Sequence, residues 1–430
     1  MKILPILLSD SYKQFHVWMY PYGMTMLCSN MTPRSYKRIA GNVSVFFGLQ
    51  YYIKEYLINQ WNELFFDRPL EEVVAKYKRF HKYFSFTDVK VEHIEKLHNL
   101  GYLPIKIKAL PEGTKVPERV PYFTITNTHP DFAWLVNFLE TQMSTAIWDM
   151  CVNATIANEY KELLTKWANK TGDPSFVPWQ GHDFAMRGRS SVESTFNQAG
   201  HLLSFTGTDT IPAVLFLEEY YGANIENELV GSSVPATEHS VMTSYGKEDE
   251  ITAFKRVLEQ FPEGIVSVVS DSFDLWKVCT EYVNRLYEQI MARNGKLVIR
   301  PDSGDPIDII CGELHAIEKP DQRGMHDDRN LKSAANGKDV HAGIYNEKYY
   351  VHCRYDHRCT SNDEMDPRSI SPKDKGVVEL LWDCFGGTVN EKGYKVLDPH
   401  IGVIYGDSIT LERANEICAR LEAKGFASTN

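Results

Sequence analysis

Apolar runs that close on an ionisable residue recur along the second half of the chain, and their spacing limits the folds open to it. The runs end in FTGTD (205–209), SVPATEH (233–239), VSVVSDS (266–272), LVIRPDS (297–303) and GVIYGDS (402–408). Asp209, His239, Asp271 and Asp302 lie 30, 32 and 31 positions apart. That distance is about the length of one strand plus one helix. Each run is therefore predicted to be a strand with polar residues at its carboxyl end.

Helical patterns fill the gaps between these runs. They cover 211–221, 249–261 and 273–294, and a glycine follows each of them within three residues. Strands that alternate with helices imply a parallel sheet. We therefore predict the α/β class and an irregular (β/α) barrel, in which active sites lie at the carboxyl ends of the strands. A doubly wound open sheet is the alternative fold.

The remaining segments suggest how the chain is organised. Residues 1–176 mix helical and β patterns and are predicted to form an additional mixed α/β lobe with dimer contacts, while 177–430 form the barrel domain. Asp407 follows Asp302 by 105 positions, about 70 more than one unit needs. The charged, turn-rich span 311–395 is therefore predicted to be an insertion, either a lid, an oligomer contact or functionally silent. No strand follows the last helix, so the barrel is expected to be incomplete at its C-terminus.

Within the insertion, HCRYDHRC (352–359) brings together two histidines and two cysteines. Its spacing matches neither the C-x2-C nor the H-x3-H pattern of zinc ligands. A polar surface segment is therefore favoured over a metal site.

Composition excludes several classes of protein. Acidic residues number 57 and basic residues 46, which gives a formal net charge of −11, and no long basic run occurs. These features argue against a broad nucleic-acid surface. The apolar stretch ILPILL (3–8) is too short for the core of a signal peptide or for a membrane span. We expect a cytoplasmic protein without membrane contacts.

The chemistry of the strand ends points to a phosphorylated sugar. They supply several carboxylates, one histidine and hydroxyl groups, and Arg187 and Arg300 supply guanidinium groups. Arginine forks suit phosphate, while carboxylates suit sugar hydroxyls or a hydrated magnesium ion. The sequence contains neither a Walker A motif nor GxGxxG, so these two modes of nucleotide binding are not supported.

Each of these residues also has a purely structural interpretation. Asp209, Asp271 and Asp302 could each cap the helix that follows. His239, taken alone, could be a hydrogen-bonded structural histidine. Five polar strand ends in register favour the functional interpretation instead.

Several longer motifs carry a family resemblance. These motifs closely resemble the nicotinate/nicotinamide phosphoribosyltransferase family, the type II phosphoribosyltransferases, and in particular its nicotinamide-specific members. They are SDSYK (9–13), FFGLQY (46–51), HDFAMRG (182–188), GTDT (207–210), SVPATEHS (233–240), VVSDSFD (268–274), IRPDSGDP (299–306) and GVIYGDS (402–408). The motifs occur in order over nearly the whole chain. The resemblance implies transfer of the phosphoribosyl group of phosphoribosyl pyrophosphate to nicotinamide, which gives nicotinamide mononucleotide and pyrophosphate in NAD salvage.

The resemblance also implies which residues bind the base. Phe184 and Tyr12 would stack on the pyridine ring, with Tyr12 contributed by the neighbouring subunit of a homodimer whose active sites lie at the subunit interface. Asp209 would accept the carboxamide N–H. A carboxylate repels the carboxylate of nicotinic acid, which favours the amide as substrate.

For the phosphoribosyl group, the resemblance assigns Arg187 and Arg300 to the 5′-phosphate. It assigns Asp302 and the Gly406-Asp407 pair to the ribose hydroxyls.

The catalytic residues implied by the resemblance are His239, Asp271 and Asp302. Asp271 and Asp302 would face Mg²⁺ and the pyrophosphate group. His239 would be phosphorylated by ATP, and hydrolysis of the phosphohistidine would drive the transfer. Arg34 would reach pyrophosphate or ATP from the other subunit.

Other functions stay open at the level of the sequence. A nicotinate phosphoribosyltransferase is the nearest alternative, and a catalytically silent, ligand-binding relative is another. The glycine-rich phosphate loop of the family is expected beyond residue 430, which keeps the silent relative under consideration. A phosphosugar isomerase or aldolase is less favoured, because no strand end carries a lysine suited to Schiff-base chemistry.

Overall fold

The computed structural model describes residues 3–35, 43–313, 315–317, 341–345, 348–352 and 370–430. The chain divides into two compact units, Met1–Lys161 with Gly181–Ser232, and Glu162–Gln180 with Ser233–Asn430. Most of the predicted insertion, including 353–359 of HCRYDHRC, lies outside the described residues. The domain boundary between residues 176 and 177 stays a prediction.

The described residues of the first unit form three small sheets. Its strands are β1 (Cys28–Met31), β2 (Val43–Val45), β3 (Ile105–Ala109), β4 (Lys115–Pro117), β5 (Phe123–Asn127), β6 (His182–Asp183) and β7 (Gly207–Thr208). β1, β5 and β3 form an antiparallel sheet in that order, and β2 pairs with β4. β6 and β7 pair in parallel, with His182 opposite Gly207. This parallel pair carries two of the predicted segments to the same edge.

The helices of the first unit pack around a core that includes Trp61, Phe65 and Tyr77. The α-helices are Leu49–Tyr51, Leu70–Phe84, Glu92–Leu100, Leu135–Phe138, Glu140–Thr171 (up to Lys161 in this unit) and Ile211–Tyr221. π-Helical turns cover Tyr52–Gln60 and Asn62–Phe66, and 3-10 turns cover Pro5–Leu7, Ser11–Trp18, Pro130–Phe132, Met186–Gly188 and Glu193–Leu203.

The second unit is built on a parallel sheet. Its strands are β8 (Glu263–Val269), β9 (Asn294–Arg300), β10 (His315–Ile317), β11 (His341–Tyr345), β12 (Lys348–His352), β13 (Gly387–Val389), β14 (Lys395–Leu397) and β15 (Ile401–Val403). The parallel sheet has the order β15, β9, β8, and Ala236 adds a parallel bridge to Ser267 of β8. Val268 and Ile299 are fully buried, as expected for strands covered on both faces.

Helices of the second unit alternate with these strands. The α-helices are Val177–Gln180, His239–Thr243, Glu250–Gln260, Leu275–Lys277, Val283–Arg285, Tyr287–Met291, Pro306–Cys311, Pro372–Lys375, Val377–Phe385 and Leu411–Ala423. Pro174–Phe176 is a 3-10 turn and Val278–Tyr282 is a π-helical turn. The remaining strands form the antiparallel sheet β10, β12, β11 and the pair β13 and β14.

A buried lysine joins the C-terminal ends of the helices Pro306–Cys311 and Pro372–Lys375. Lys424 Nζ donates to the carbonyl oxygens of Cys311 and Lys375, at 2.7 Å each. It also pairs with Glu379 Oε2 at 2.6 Å, and both side chains are almost completely buried. The positive charge thus lies at the C-termini of the two helices, where it donates to backbone carbonyl oxygens.

The fold prediction is confirmed at the level of a mixed α/β protein with parallel strands separated by helices. Within the described residues neither unit contains a closed sheet, so the barrel stays a prediction. No helix in the described part of the chain combines the length and apolar character that a membrane crossing requires.

Candidate functional site

The second unit contains two D-S-x-D motifs, 271–274 and 302–305. In each motif the second aspartate caps the helix that follows. Asp274 accepts the backbone N–H groups of residues 276 and 277 and caps Leu275–Lys277. Asp305 accepts the N–H of residue 307 and caps Pro306–Cys311. The structural interpretation of Asp271 and Asp302 as helix caps is therefore wrong, and both carboxylates serve other contacts.

Asp271 fastens the end of β8 to the end of β9. Its Oδ2 accepts the backbone N–H groups of Asp302 (2.9 Å) and Ser303 (2.7 Å) and the Ser303 hydroxyl (2.5 Å). Its Oδ1 is buried and has no hydrogen-bond partner among the described residues. One oxygen of this carboxylate thus builds the loop, while the other remains for a ligand.

His239 lies beside these aspartates at the start of the helix His239–Thr243. Its Nδ1 is 3.1 Å from Ser272 Oγ, and its Nε2 is 3.5 Å from Asp302 Oδ2. Half of the histidine side chain is exposed. The structure therefore brings together the three predicted catalytic residues, and it adds Ser272, which sequence reasoning missed.

Arg300 and Gly406 complete this edge of the parallel sheet. Arg300 donates from Nη2 to the carbonyl oxygen of Thr237 at 2.7 Å, while its Nε is buried without a partner among the described residues. A Cβ added at Gly406 would lie 2.1 Å from Asp302 Oδ1. Only glycine therefore allows Asp302 this position.

Tyr405 lies among the carboxylates at this edge of the sheet. Burial, followed by the carboxylates of Asp271, Asp302, Asp305 and Asp407, raises the pKa of the Tyr405 phenol to about 12. Its hydroxyl donates to the carbonyl oxygen of residue 304 at 3.0 Å. Such a concentration of negative charge attracts a cation or a sugar hydroxyl donor.

In the first unit, Asp209 lies against a histidine that sequence reasoning did not single out. His182 Nε2 is 2.9 Å from Asp209 Oδ1. The rings of His182 and Phe184 have centroids 4.4 Å apart and are inclined by 35°. The predicted base-binding residues Phe184 and Asp209 are thus joined through one imidazole.

Asp183 stabilises the backbone around His182, Phe184 and Asp209. It is buried, and its side chain accepts four hydrogen bonds, from the N–H of Ala185 (2.9 Å), Gln198 Nε2 (2.7 Å), Thr208 Oγ1 (3.1 Å) and Thr210 Oγ1 (2.6 Å). Its backbone carbonyl accepts the N–H of residue 209 at 2.9 Å. Thr210, not Asp209, is the N-cap residue of the next helix.

The other predicted residues lie at exposed positions. Tyr12 is 59% exposed, with its hydroxyl 3.5 Å from Asp10 Oδ2. Arg187 is exposed on the 3-10 turn Met186–Gly188, and Arg34 is exposed just before the undescribed residues 36–42. Asp407 is exposed and accepts the N–H of residue 408 at 2.6 Å. Their predicted roles stay predictions.

Comparison with known proteins identifies relatives over the full length of the chain. A model of the nicotinate phosphoribosyltransferase (NAPRTase) family matches residues 179–430. The chain is 43% identical to a nicotinamide phosphoribosyltransferase of Acinetobacter baylyi, across 100% of this chain and 77% of the relative. It is 31% identical to a nicotinamide phosphoribosyltransferase of Mycoplasma pneumoniae, across 99% of this chain and 83% of the relative.

Among solved structures, the crystal structure of human nicotinic acid phosphoribosyltransferase is similar to this chain with a TM-score of 0.48 and 14% sequence identity. The similarity covers 77% of this chain and 65% of the human one.

Proposed function

The chain belongs to the nicotinate phosphoribosyltransferase family, and on this premise we propose that it transfers the phosphoribosyl group of phosphoribosyl pyrophosphate to nicotinamide. The products are nicotinamide mononucleotide and pyrophosphate, a step of NAD salvage. One observation carries the proposal: the similarity to proteins named nicotinamide phosphoribosyltransferase extends over the whole chain, at 43% identity in the Acinetobacter baylyi protein.

The reaction breaks the bond between the ribose C1 carbon and the pyrophosphate oxygen and forms a bond between C1 and the pyridine nitrogen. The bonding electrons leave with pyrophosphate, so positive charge develops on the ribose ring in the transition state. A protein accelerates such a step mainly by orienting the two partners and stabilising charge.

Base recognition would fall to Asp209, Phe184 and Tyr12. The Asp209 carboxylate would accept the carboxamide N–H, and Phe184 would stack on the pyridine ring. Tyr12 would cover the other face of the ring from a second subunit of a homodimer, and its exposure in this chain supports that role. Stacking of aromatic rings contributes about 0.5–1.5 kcal/mol beyond burial, so Asp209 would decide between amide and acid.

The phosphoribosyl group would bind through Arg187 and Arg300 at its 5′-phosphate and through Asp302, Gly406 and Asp407 at its ribose hydroxyls. The Nε of Arg300 is buried and has no hydrogen-bond partner in the described part of the chain, which supports this role, since a buried donor without a partner is costly. Arg34 is proposed to reach pyrophosphate or ATP from the other subunit of the dimer.

Magnesium fits the carboxylates of Asp271 and Asp302. Within the described residues no three His, Cys, Asp or Glu side chains are grouped to hold a metal. Mg²⁺ usually takes one or two protein carboxylates together with substrate phosphates. The Oδ1 of Asp271, which no described residue contacts by a hydrogen bond, suits this arrangement. When bound, the ion would neutralise the charge of the leaving pyrophosphate.

ATP is proposed as a co-substrate that phosphorylates His239. A neutral imidazole nitrogen would attack the γ-phosphorus, ADP would leave, and water would later release phosphate from the histidine. Ser272 and Asp302 lie close enough to orient the ring, which supports this role.

The proposal also includes a fold and a location in the cell. The parallel order of β8, β9 and β15, extended by the bridge at Ala236, supports a (β/α) barrel. The cysteines of the described residues are free thiols, which supports action in a reducing compartment such as the cytoplasm.

The test is an assay with phosphoribosyl pyrophosphate, Mg²⁺ and either nicotinamide or nicotinate, with and without ATP. Nicotinamide mononucleotide is the expected main product, and ATP is expected to raise its yield. A preference for nicotinate would identify a nicotinate phosphoribosyltransferase instead. Binding of nicotinamide without turnover would identify a catalytically silent relative.

A further inference from the structure

A histidine hydrogen-bonded to the base-recognising carboxylate has no role in the function proposed above. His182 Nε2 lies 2.9 Å from Asp209 Oδ1, and the histidine is the less exposed partner, at 15% against 42% for the aspartate. An ionised carboxylate can only accept a hydrogen bond, so the imidazole nitrogen facing it carries the proton.

The position of His182 is fixed by the backbone around it. His182 belongs to β6 and is paired in register with Gly207 of β7. A Cβ at Gly207 would lie 2.6 Å from His182 Nδ1, so the imidazole packs directly against that strand. The Phe184 ring packs against the His182 imidazole, with the two ring centroids 4.4 Å apart. The histidine therefore has little room to leave the carboxylate.

Asp209, in contrast, depends on its neighbours for orientation. It follows the two-residue strand β7, its side chain is 42% exposed, and its backbone N–H donates to the carbonyl oxygen of Asp183. An exposed carboxylate samples several rotamers unless a charge-assisted hydrogen bond holds one of them. The bond from His182 supplies one such restraint.

From this geometry we infer that His182 is a positioning residue that fixes the Asp209 carboxylate for recognition of the carboxamide, and that it thereby contributes to the preference for nicotinamide over nicotinate. This inference rests on the proposed function and deepens it. The imidazole acts through Asp209, and it also supports Phe184 beside the same base.

The test compares His182→Leu with His182→Gln. Leucine keeps much of the volume and removes the N–H, whereas the glutamine amide nitrogen keeps a donor close to the place of Nε2. His182→Leu is expected to raise the KM for nicotinamide about tenfold, leave the KM for phosphoribosyl pyrophosphate unchanged and lower the ratio of nicotinamide to nicotinate kcat/KM. His182→Gln is expected to restore most of that ratio.

His129→Leu is the control for loss of a histidine elsewhere in the unit, since His129 caps the 3-10 turn Pro130–Phe132. An unchanged substrate ratio in His182→Leu would overturn the inference, as would a His182→Gln variant no better than the leucine variant. Asp209→Ser, measured in parallel, distinguishes a failure of the His182 inference from a failure of the proposed function. If that variant also keeps its substrate ratio, the assignment of Asp209 within the proposed function fails.

Discussion

Replacing Glu250 with glutamine is expected to stabilise the protein at neutral and alkaline pH. Glu250 is the first residue of the helix Glu250–Gln260, is 1% exposed, and its Oε1 has no hydrogen-bond partner among the described residues. Burial, followed by the negative charge of Asp274, raises the pKa of its carboxyl to about 7; Asp271 adds to the rise, and Lys277 opposes it.

The size of the effect follows from the difference between the folded and unfolded states. The ordinary pKa of this carboxyl is 4.5 and the folded value is about 7, and each pH unit of difference corresponds to about 1.4 kcal/mol. The native state therefore keeps a proton that the unfolded state has lost, and stability falls as the pH rises from 4.5 through about 7. Above pH 7 the loss amounts to about 3 kcal/mol.

Glutamine has the same shape and never ionises, so the variant escapes this loss. We expect Glu250→Gln and the unaltered protein to unfold at similar urea concentrations near pH 4.5 and the variant to require more urea at pH 8. Glu259→Gln on the same helix is the matched control, because Glu259 is exposed. A difference between Glu250→Gln and the parent that does not change with pH would refute the reasoning.

Further predictions test the second unit. Gly406→Ala would place a Cβ 2.1 Å from Asp302 Oδ1, so we expect a loss of transferase activity of at least about tenfold with an unchanged circular dichroism spectrum; normal activity would contradict it. Lys424→Met leaves Glu379 buried without its lysine partner and should lower the free energy of unfolding by about 3–5 kcal/mol, measured by thermal unfolding. Adding Glu379→Leu to this variant should recover part of the lost stability. His239→Ala should abolish the stimulation by ATP and keep a slow basal transfer; full stimulation would exclude a phosphohistidine at this position.

Local sequence signals predicted a helix well where a glycine ends the helical pattern. The helix predicted over 211–221 is observed as Ile211–Tyr221, and Gly222 follows with a φ of 72°, the left-handed conformation that ends a helix. In contrast, the helix predicted over 273–294 is broken into short α and π turns between Leu275 and Met291. Its ends carried local signals, but its interior geometry depends on the packing around it.

The recurring polar strand ends were also visible in the sequence, but their division of labour was not. Each D-S-x-D motif offers two aspartates, and either could have capped the helix. The hydrogen bonds that Asp271 accepts from the backbone N–H groups of residues 302 and 303 show that its carboxylate is used elsewhere. They join positions 31 and 32 residues apart, a distance over which helix propensity carries no information.

The sequence by itself determined the family, the alternation of strands and helices, and the residue types gathered at the strand ends, because these depend on composition, periodicity and motifs. Only the tertiary structure decided that His182 lies against Asp209 and that the neighbouring Asp183 accepts hydrogen bonds from Thr208 and Thr210. The reason is physical: a parallel strand pair such as β6 and β7 brings residues 27 positions apart into hydrogen-bonding distance. That contact exists only after the intervening chain has folded.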